Sequence, residues 1–421
     1  MAYEEITMLL GGWEGFELVS VRREPATGET GPVIELALRP VPNSAKRCGN
    51  CGEVVAVVHD VSERRVRDLP ILEADTWLVF PRARLACPRC GPTVEAVPWL
   101  DRYQRLTTRL AAAIARLAQV LPIKHVAAWF AVGWATVKAI DRRALAARLG
   151  PVALDGVRVL ALDEFALHRG QRYATVVADA ETRRVLWVGE GRDRAAVRAF
   201  FTLLGPTRCA AVEAVVMDMS AAFAAEVRAA CPQAALVYDR FHVQAGYNRD
   251  VVDRVRVDET TRVAGRALPR GDPGRVARVA ERRELRGSRW LLLPNRAGLA
   301  PADRVRLYEL LAANVALFTV YVLKEDLARL WTYTSPGAAR RCWADWEARA
   351  RESGIPALAR FADRLAARID GVLNHCRYPL NTGFLEGINN KIKVLKRMAY
   401  GFRDHEYFFL KIRAAFPGIP R

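Results

Sequence analysis

No stretch of this sequence is both long and free of charge. That absence excludes a membrane-spanning helix, which needs about 20 apolar residues in a row. The opening MAYEEITMLL carries acids where a secretory signal carries basic residues, so the expectation is a cytoplasmic protein. Cysteine is sparse and wrongly spaced for a disulfide scaffold. Of eight cysteines, four fall in two C-x-x-C pairs, Cys48/Cys51 and Cys87/Cys90. Cys209, Cys231, Cys342 and Cys376 stand alone and read as thiols without a chemical role. Acids are outnumbered: 46 Asp and Glu face 64 Lys and Arg, for a net charge of +18. Such a surplus suits a polyanionic partner, above all nucleic acid. A coding bias toward Arg and Ala gives the same surplus with no partner. The acids are still plentiful, so the charge belongs to folded surfaces and not to a basic tail.

The residues that are present divide the 421-residue chain into several domains, at roughly 150 residues each. Residues 16–22 and 33–39 alternate as strands, joined by a glycine-containing turn. CGNCG follows, then β-like runs at 54–59 and 76–85, then CPRCG. Two knuckles flanking a hairpin supply the four thiolates of a tetrahedral zinc site, and Gly52 and Gly91 allow the tight backbone. A redox dithiol needs only one such pair, at a helix start. His59 reads as a surface residue. From Leu106 the period becomes helical, with Thr107 or Thr108 as a cap. IKHVAAWF, the turn Ala131-Val132-Gly133 and WATVKAIDRRALAARLG then read as a helix-turn-helix, with Lys138, Arg142 and Arg143 on its second helix. Gly150-Pro151 closes this part.

The stretch 157–179, VRVLALDEFALHRGQRYATVVAD, organises the rest of the chain. Val159–Leu162 is short and apolar throughout, as in a strand buried on both faces. Asp163 and Glu164 come next, and the run 173–178 returns antiparallel, which puts Asp163 at the carboxyl end of its strand. A buried acid needs an offset: a metal ion, or a salt bridge to Arg169 or Arg172. Further on, strand-like 184–188, a helix at 195–204, a strand ending in Asp218, a helix at 221–230 and a strand ending in Asp239 make an α/β sheet. Ligands of such sheets sit beyond the carboxyl ends of strands, where Asp163 and Asp218 lie. Residues 256–370 lose every strand signal and read as helices, with a hinge at PRGDPG. The last segment, NTGFLEGINNKIKVLKRMAYGFRDHEYFFLKI, is helical and basic. On its helix Glu386, Asn389, Asn390 and Lys393 share one face, and Leu385, Ile388, Ile392 and Leu395 form the packing face.

CGNC and CPRC, LDEFALHRGQRYATVVAD, VVMDMSAAF, VYDRFHV and NTGFLEGINNKIKVLKRMAYGFR together resemble the ISL-three-type transposases of bacterial insertion sequences, in order along nearly the whole chain. The resemblance implies a multidomain α/β protein. A β-rich zinc-binding module (1–100) and a helix-turn-helix (101–150) would precede an RNase H-like catalytic domain in two parts (151–255 and 375–421), split by an all-helical insertion (256–374). It implies Asp163, Asp218 and Glu386 as the catalytic, Mg²⁺- or Mn²⁺-binding triad, and leaves Asp239 outside it. The segment 262–283 reads as ordinary linker, short for the insertion. Implied partners are double-stranded DNA with terminal inverted repeats and target DNA, met by a homodimer or larger assembly on paired ends, in the cytoplasm at the nucleoid.

The chemistry agrees on its own terms. Phosphodiester transfer needs an attacking oxygen in line with a leaving oxygen, clamped by two Mg²⁺ about 3.5–4 Å apart. Such hard ions take a few carboxylates, and no Ser, Cys or Tyr nucleophile is required. Lys391, Lys393, Lys396 and Arg397 would line the DNA path. Glu164 and Asp239 read as salt-bridged neighbours, and His242 as either orienting a carboxylate or phosphate or merely packing. Other readings are a non-catalytic DNA-binding regulator derived from such an enzyme, and a structure-selective nuclease on the same scaffold.

Overall fold

The computed structural model describes all residues except 1–6, 8, 28–30, 169, 171, 267, 270, 381, 382, 420 and 421. Gly28 of the first expected hairpin turn, Arg169 and Arg270 of the hinge lie outside the described residues. The chain forms two compact units, Met1–Gly150 with Leu395–Leu410, and Pro151–Val394 with Lys411–Arg421. Among the described residues no helix is long and apolar enough to cross a membrane.

The first unit begins with a sheet of β1 (Phe16–Glu24), β2 (Val33–Pro40), β3 (Val58–Arg67), β4 (Asp75–Cys87) and β5 (Gly91–Val94). Its order is β1-β2-β4-β3, with β5 on the end of β4; β2 and β4 run parallel, the other pairs antiparallel. Leu78 and Phe80 of β4 point to one face, as alternation requires, and join Leu36, Leu38, Val66, Trp13 and Trp99 in a small core. Phe80 meets Trp99 edge-on at 4.9 Å. The strand expected at 54–59 instead runs Val58–Arg67. Its charged stretch Glu63-Arg64-Arg65 hid it. An edge strand tolerates such residues because one side faces solvent.

Three helices follow, α1 (Thr108–Leu117), α2 (Ile123–Trp129) and α3 (Trp134–Leu149), around a core of Leu110, Ile114, Val126, Phe130, Val137 and Ile140. Thr107 caps α1 by accepting from the Leu110 amide at 3.3 Å. Its hydroxyl donates to Asp68, 2.6 Å away. Asp68 is fully buried and also accepts from Trp13 and Arg109, so one carboxylate ties the end of β3 to the helices. Burial opposes its charge, but Arg109 and then Thr107 hold it below the usual carboxylate range. The turn before α3 passes through Ala131 at φ 49°, which a small side chain tolerates.

The second unit is built on β6 (Val159–His168), β7 (Arg172–Asp179), β8 (Arg184–Glu190), β9 (Ala214–Met217) and β10 (Ala235–Tyr238), in the order β10-β9-β6-β7-β8. β6, β7 and β8 form an antiparallel meander; β9 and β10 add parallel on the other side. α4 (Arg194–Leu204) and α5 (Pro206–Ala211) carry the chain from β8 to β9, and α6 (Ala221–Ala230) from β9 to β10.

Asp163 does not end its strand, contrary to expectation. β6 continues to His168 because Phe165 and Leu167 keep alternating into the interior, and Asp163 pairs with Val176. The parallel side stops earlier, at Ala161 opposite Val216.

α7 (Arg240–Tyr247) runs through a π-helical turn, Asn248–Asp253, into α8 (Arg254–Ala264). Then come α9 (Gly274–Gly287), α10 (Arg289–Leu292), α11 (Pro301–Ala313), α12 (Val315–Arg329), α13 (Pro336–Glu352), α14 (Pro356–Ala366) and α15 (Ile369–Leu373). These helices are not a separate body: one apolar core runs from Leu160 and Met217 of the sheet through Tyr247, Trp346 and Phe361 to Leu373. Gly371 lies so close to the Tyr238 ring that a Cβ would sit 2.5 Å from it. The C-terminal segment is two helices, α16 (Gly383–Met398) and α17 (His405–Ala415). The chain end returns beside β8, where the Val185 amide donates to the Phe416 carbonyl at 3.2 Å.

Candidate active site and zinc centre

Four thiols converge in the first unit. The Sγ atoms of Cys48, Cys51, Cys87 and Cys90 all lie within 4.8 Å of one another. Cys51 and Cys87 Sγ are 3.7 Å apart. A tetrahedron with Zn–S bonds of about 2.3 Å sets sulfurs about 3.8 Å apart, so the donors fit zinc with little movement. Cys87 comes from the end of β4, and Cys90 from the turn into β5. Gly52 and Gly91 adopt φ of 76° and 71°, the left-handed turns that each knuckle needs. The Cys48 thiol is held at about 6, first by the Cys51 amide and, against burial, by that of Asn50, which donates at 3.4 Å. Amides aimed at sulfur favour the thiolate that a metal binds. His59 is exposed and pairs with Asp60. Cys209 and Cys231 are buried.

In the second unit the strand register sets the acids side by side. Ala161 pairs with Val216, and Met217 with Tyr238. Continued along each strand, this brings Asp163, Asp218 and Asp239 into one row at the carboxyl ends of the parallel strands. The row forms the floor of a cleft of about 420 Å³, whose other wall is α16, with Glu386, Asn389, Asn390 and Lys393. Leu385, Ile388 and Ile392 are buried beneath that helix.

Asp163 is buried and accepts from the Glu164 amide at 2.8 Å and from Asn389 Nδ2 at 2.6 Å. Among the described residues no Arg or Lys pairs with it, Arg172 included. Burial first, and Asp218 beside it, raise its carboxyl to about 6 against the pull of these donors. Asp218 is half-buried and accepts from the Ser220 amide. Asp239 caps α7 through the Phe241 amide and holds His242 Nδ1 at 2.9 Å. That bond, then the charges of Asp239, Asp163 and Asp218, raises the His242 pKa against desolvation. Glu164 pairs with Arg192 at 3.4 Å. Glu386 is exposed on the cleft wall.

Asn389 Oδ1 is buried with no hydrogen-bond partner. Together with the carboxylates it makes an all-oxygen donor set, which suits a hard divalent cation. The carboxylates share the cleft without crowding: among the described residues, only the four thiols gather three or more ligating atoms within 4.8 Å. The sequence placed Asn389 on the face of Glu386 but not at Asp163, and it left Asp239 out of the row. The signal for Asp239 was its place directly after a buried strand, as for Asp218.

The cations expected to meet DNA are differently placed. Lys138 pairs with Asp404 at 2.8 Å. Arg142 pairs with Asp404 and with Glu406, at 3.5 and 2.7 Å. Arg143 is exposed. Lys393 lines the cleft, whereas Lys391 donates to the Ala415 carbonyl at 2.8 Å. Lys396 is half-buried and Arg397 exposed, both late on α16.

Comparison with known proteins bears on all three parts. A family described as "Transposase", of the ISL3 group, matches residues 160–412. The "helix-turn-helix domain of transposase family ISL3" matches residues 95–145, and the "zinc-finger of transposase IS204/IS1001/IS1096/IS1165" residues 44–90. The chain is 48% identical over 413 residues, 98% of each chain, to a Bordetella parapertussis protein described as "Transposase for insertion sequence element IS1001". It is 31% identical over 392 residues, 89% of this chain and 87% of the relative, to the "Transposase for insertion sequence element IS1557" of Mycobacterium tuberculosis.

Proposed function

The chain belongs to the ISL3 family of insertion-sequence transposases, and from that premise we propose that it binds the terminal inverted repeats of its element, cuts them and joins them to target DNA in Mg²⁺. It is a DNA-binding enzyme with a zinc ribbon, a helix-turn-helix and a DDE domain. The strand order, with an antiparallel meander and two parallel strands flanking β6, supports an RNase H-like reading of the catalytic sheet, and the helices α8–α15 are then its insertion.

One observation carries the mechanism. Asp163 and Asp218 stand in register past the end of the parallel pair, and Glu386 enters the same cleft from α16. These three would hold Mg²⁺. Bound there, it would supply Lewis acidity to the phosphoryl group and offset charge on the attacking and leaving oxygens. The residues of the chain do the rest. Asn389 fixes the Asp163 carboxylate at one oxygen and the Glu164 amide fixes the other. Asp239 holds His242 Nδ1 and, with Asp163 and Asp218, raises the ring's pKa; protonated on both nitrogens, the ring would bring positive charge to an acidic cleft that must admit a phosphodiester. Lys393 adds a second cation at the wall. On the second helix of the helix-turn-helix, Arg143 is the free contact. Lys138 and Arg142 would reach DNA only by exchanging Asp404 and Glu406 for phosphate.

Glu386→Gln tests the reading, because it keeps shape and removes charge. The variant should bind a duplex bearing the element's end as the parent does, and neither nick it nor join it to target in Mg²⁺. Strand transfer near the parental rate would remove Glu386 from the site.

A further inference from the structure

We propose that a second cleft, in the first unit between β3 and the start of α3, grips a backbone phosphate of duplex DNA. The proposal rests on the DNA-binding reading of this protein and adds a site that the helix-turn-helix alone does not supply. The cleft measures about 550 Å³. Its lining includes Arg64, Arg65, Arg67 and Arg105 against one acid, Glu63. Arg65 lies over the Trp77 ring at 4.2 Å and pairs with Glu35 at 3.3 Å. Arg64 and Arg105 form no ion pair among the described residues.

Two independent features point to an anion. The first is the start of α3. This helix has 16 residues, and its N-cap, Gly133, offers no side-chain cap. The residues 133–136 are exposed, so the first amides of the helix have no acceptor within the helix and carry the positive end of its dipole. The second is Arg67. Only 6% of it is exposed. Its Nη2 donates to Asp75 at 2.7 Å and to the Phe130 carbonyl at 3.1 Å, but its Nε is buried with no partner. An orphaned donor costs about 1–3 kcal/mol, and an anion oxygen in the cleft is the acceptor it lacks.

DNA is favoured over a small anion by where the cleft sits. Phosphate contacts at the start of a second helix fix its angle over a duplex. Further along α3, Lys138 and Arg142 are already paired to carboxylates. The cleft therefore adds uncommitted charge at the helix start, ahead of the exposed Arg143. The zinc-bearing sheet provides it, since Arg64, Arg65 and Arg67 come from β3.

The test uses the full-length, zinc-loaded protein and measures binding by anisotropy across a KCl series. One probe is a duplex of the element's own end, the other a random duplex of equal length. Arg64→Gln/Arg105→Gln should bind both probes about tenfold more weakly, and its log–log salt slope should be shallower by about two. Zinc content and melting temperature should stay parental. Arg105→Gln alone, at an exposed residue, should lose about one from the slope and serves if the double variant misfolds. Glu63→Gln should bind as tightly as the parent or more so. Parental affinity and slope in both arginine variants would overturn the proposal. Titration of inorganic phosphate by calorimetry covers the other source. Binding of phosphate that the arginine changes abolish, with an unchanged DNA slope, would assign a small-anion site and refute the DNA clamp. A parent that does not prefer its end duplex would fail the end-recognition reading, while the random duplex still tests the cleft.

Discussion

Replacing Asp163 by Asn should make the protein more stable while ending its catalysis. The carboxyl is buried beside Asp218, and its pKa rises from 3.8 to about 6. The fold therefore favours the protonated form, and ionising the group costs up to about 3 kcal/mol of stability once the pH is above 6. The direction follows from the order of the two values. Below about pH 4 the group is protonated folded or unfolded and costs nothing. Between 4 and 6 only the unfolded chain ionises freely, so stability falls as pH rises. Asn keeps the shape and never ionises; its oxygen accepts from the Glu164 amide, and its N–H₂ donates to the now unpartnered Asn389 Oδ1 once that amide turns over. In Mg²⁺-free buffer at pH 7.5, the second unit of Asp163→Asn should unfold with a midpoint roughly 5–10 °C above the parent. The gap should halve by about pH 5 and vanish toward pH 4. Added Mg²⁺ should raise the parent's midpoint far more than the variant's, because the cation offsets the same charge. Differential scanning calorimetry from pH 4 to 8, with and without Mg²⁺, measures each of these shifts. A variant no more stable than the parent at pH 7.5, or a gap that ignores pH, would show that the buried charge carries no such cost. Cleavage of end DNA by the variant would refute the catalytic role separately.

Zinc should bind at one ion per chain, and Cys87→Ser should abolish stoichiometric binding; because structural zinc contributes folding energy directly, circular dichroism should show the first unit melting apart from the second, and zinc-free yet fully folded protein would contradict this. The His242–Asp239 pair should stabilise the fold at low pH and lose that contribution as pH rises through the raised histidine pKa, so His242→Gln should flatten the stability profile above about pH 6.5; an unchanged profile by denaturant titration would count against the pair. Arg143→Ala should weaken DNA binding with the fold intact, whereas Lys138→Ala should lower stability by about 1 kcal/mol through the loss of its half-buried partner Asp404; equal DNA affinity in Arg143→Ala, read by gel shift, would move the contact elsewhere.

Local pattern was enough for much of this protein. Two C-x-x-C pairs announced zinc because the ligand spacing is a property of a single knuckle. The apolar runs at 159–162 and 173–178 announced a hairpin, Thr107 or Thr108 a helix start, and the helical period of 383–397 a face bearing Glu386. Each of these depends on residues a few positions apart. The relations across the fold were not legible, because no local period encodes them. The register of β6 against β9 and β10 sets Asp163, Asp218 and Asp239 in one row. Parallel pairing is fixed by helices and core packing far along the chain, so the sequence left Asp239 out and ended β6 at its acid. Asn389 meets Asp163 across 226 residues, and Arg142 meets Glu406 across 264. A charged residue can be read as surface, salt bridge or site from its neighbours in sequence. Burial and the partner brought to it by tertiary structure decide which, because they set the cost of its charge.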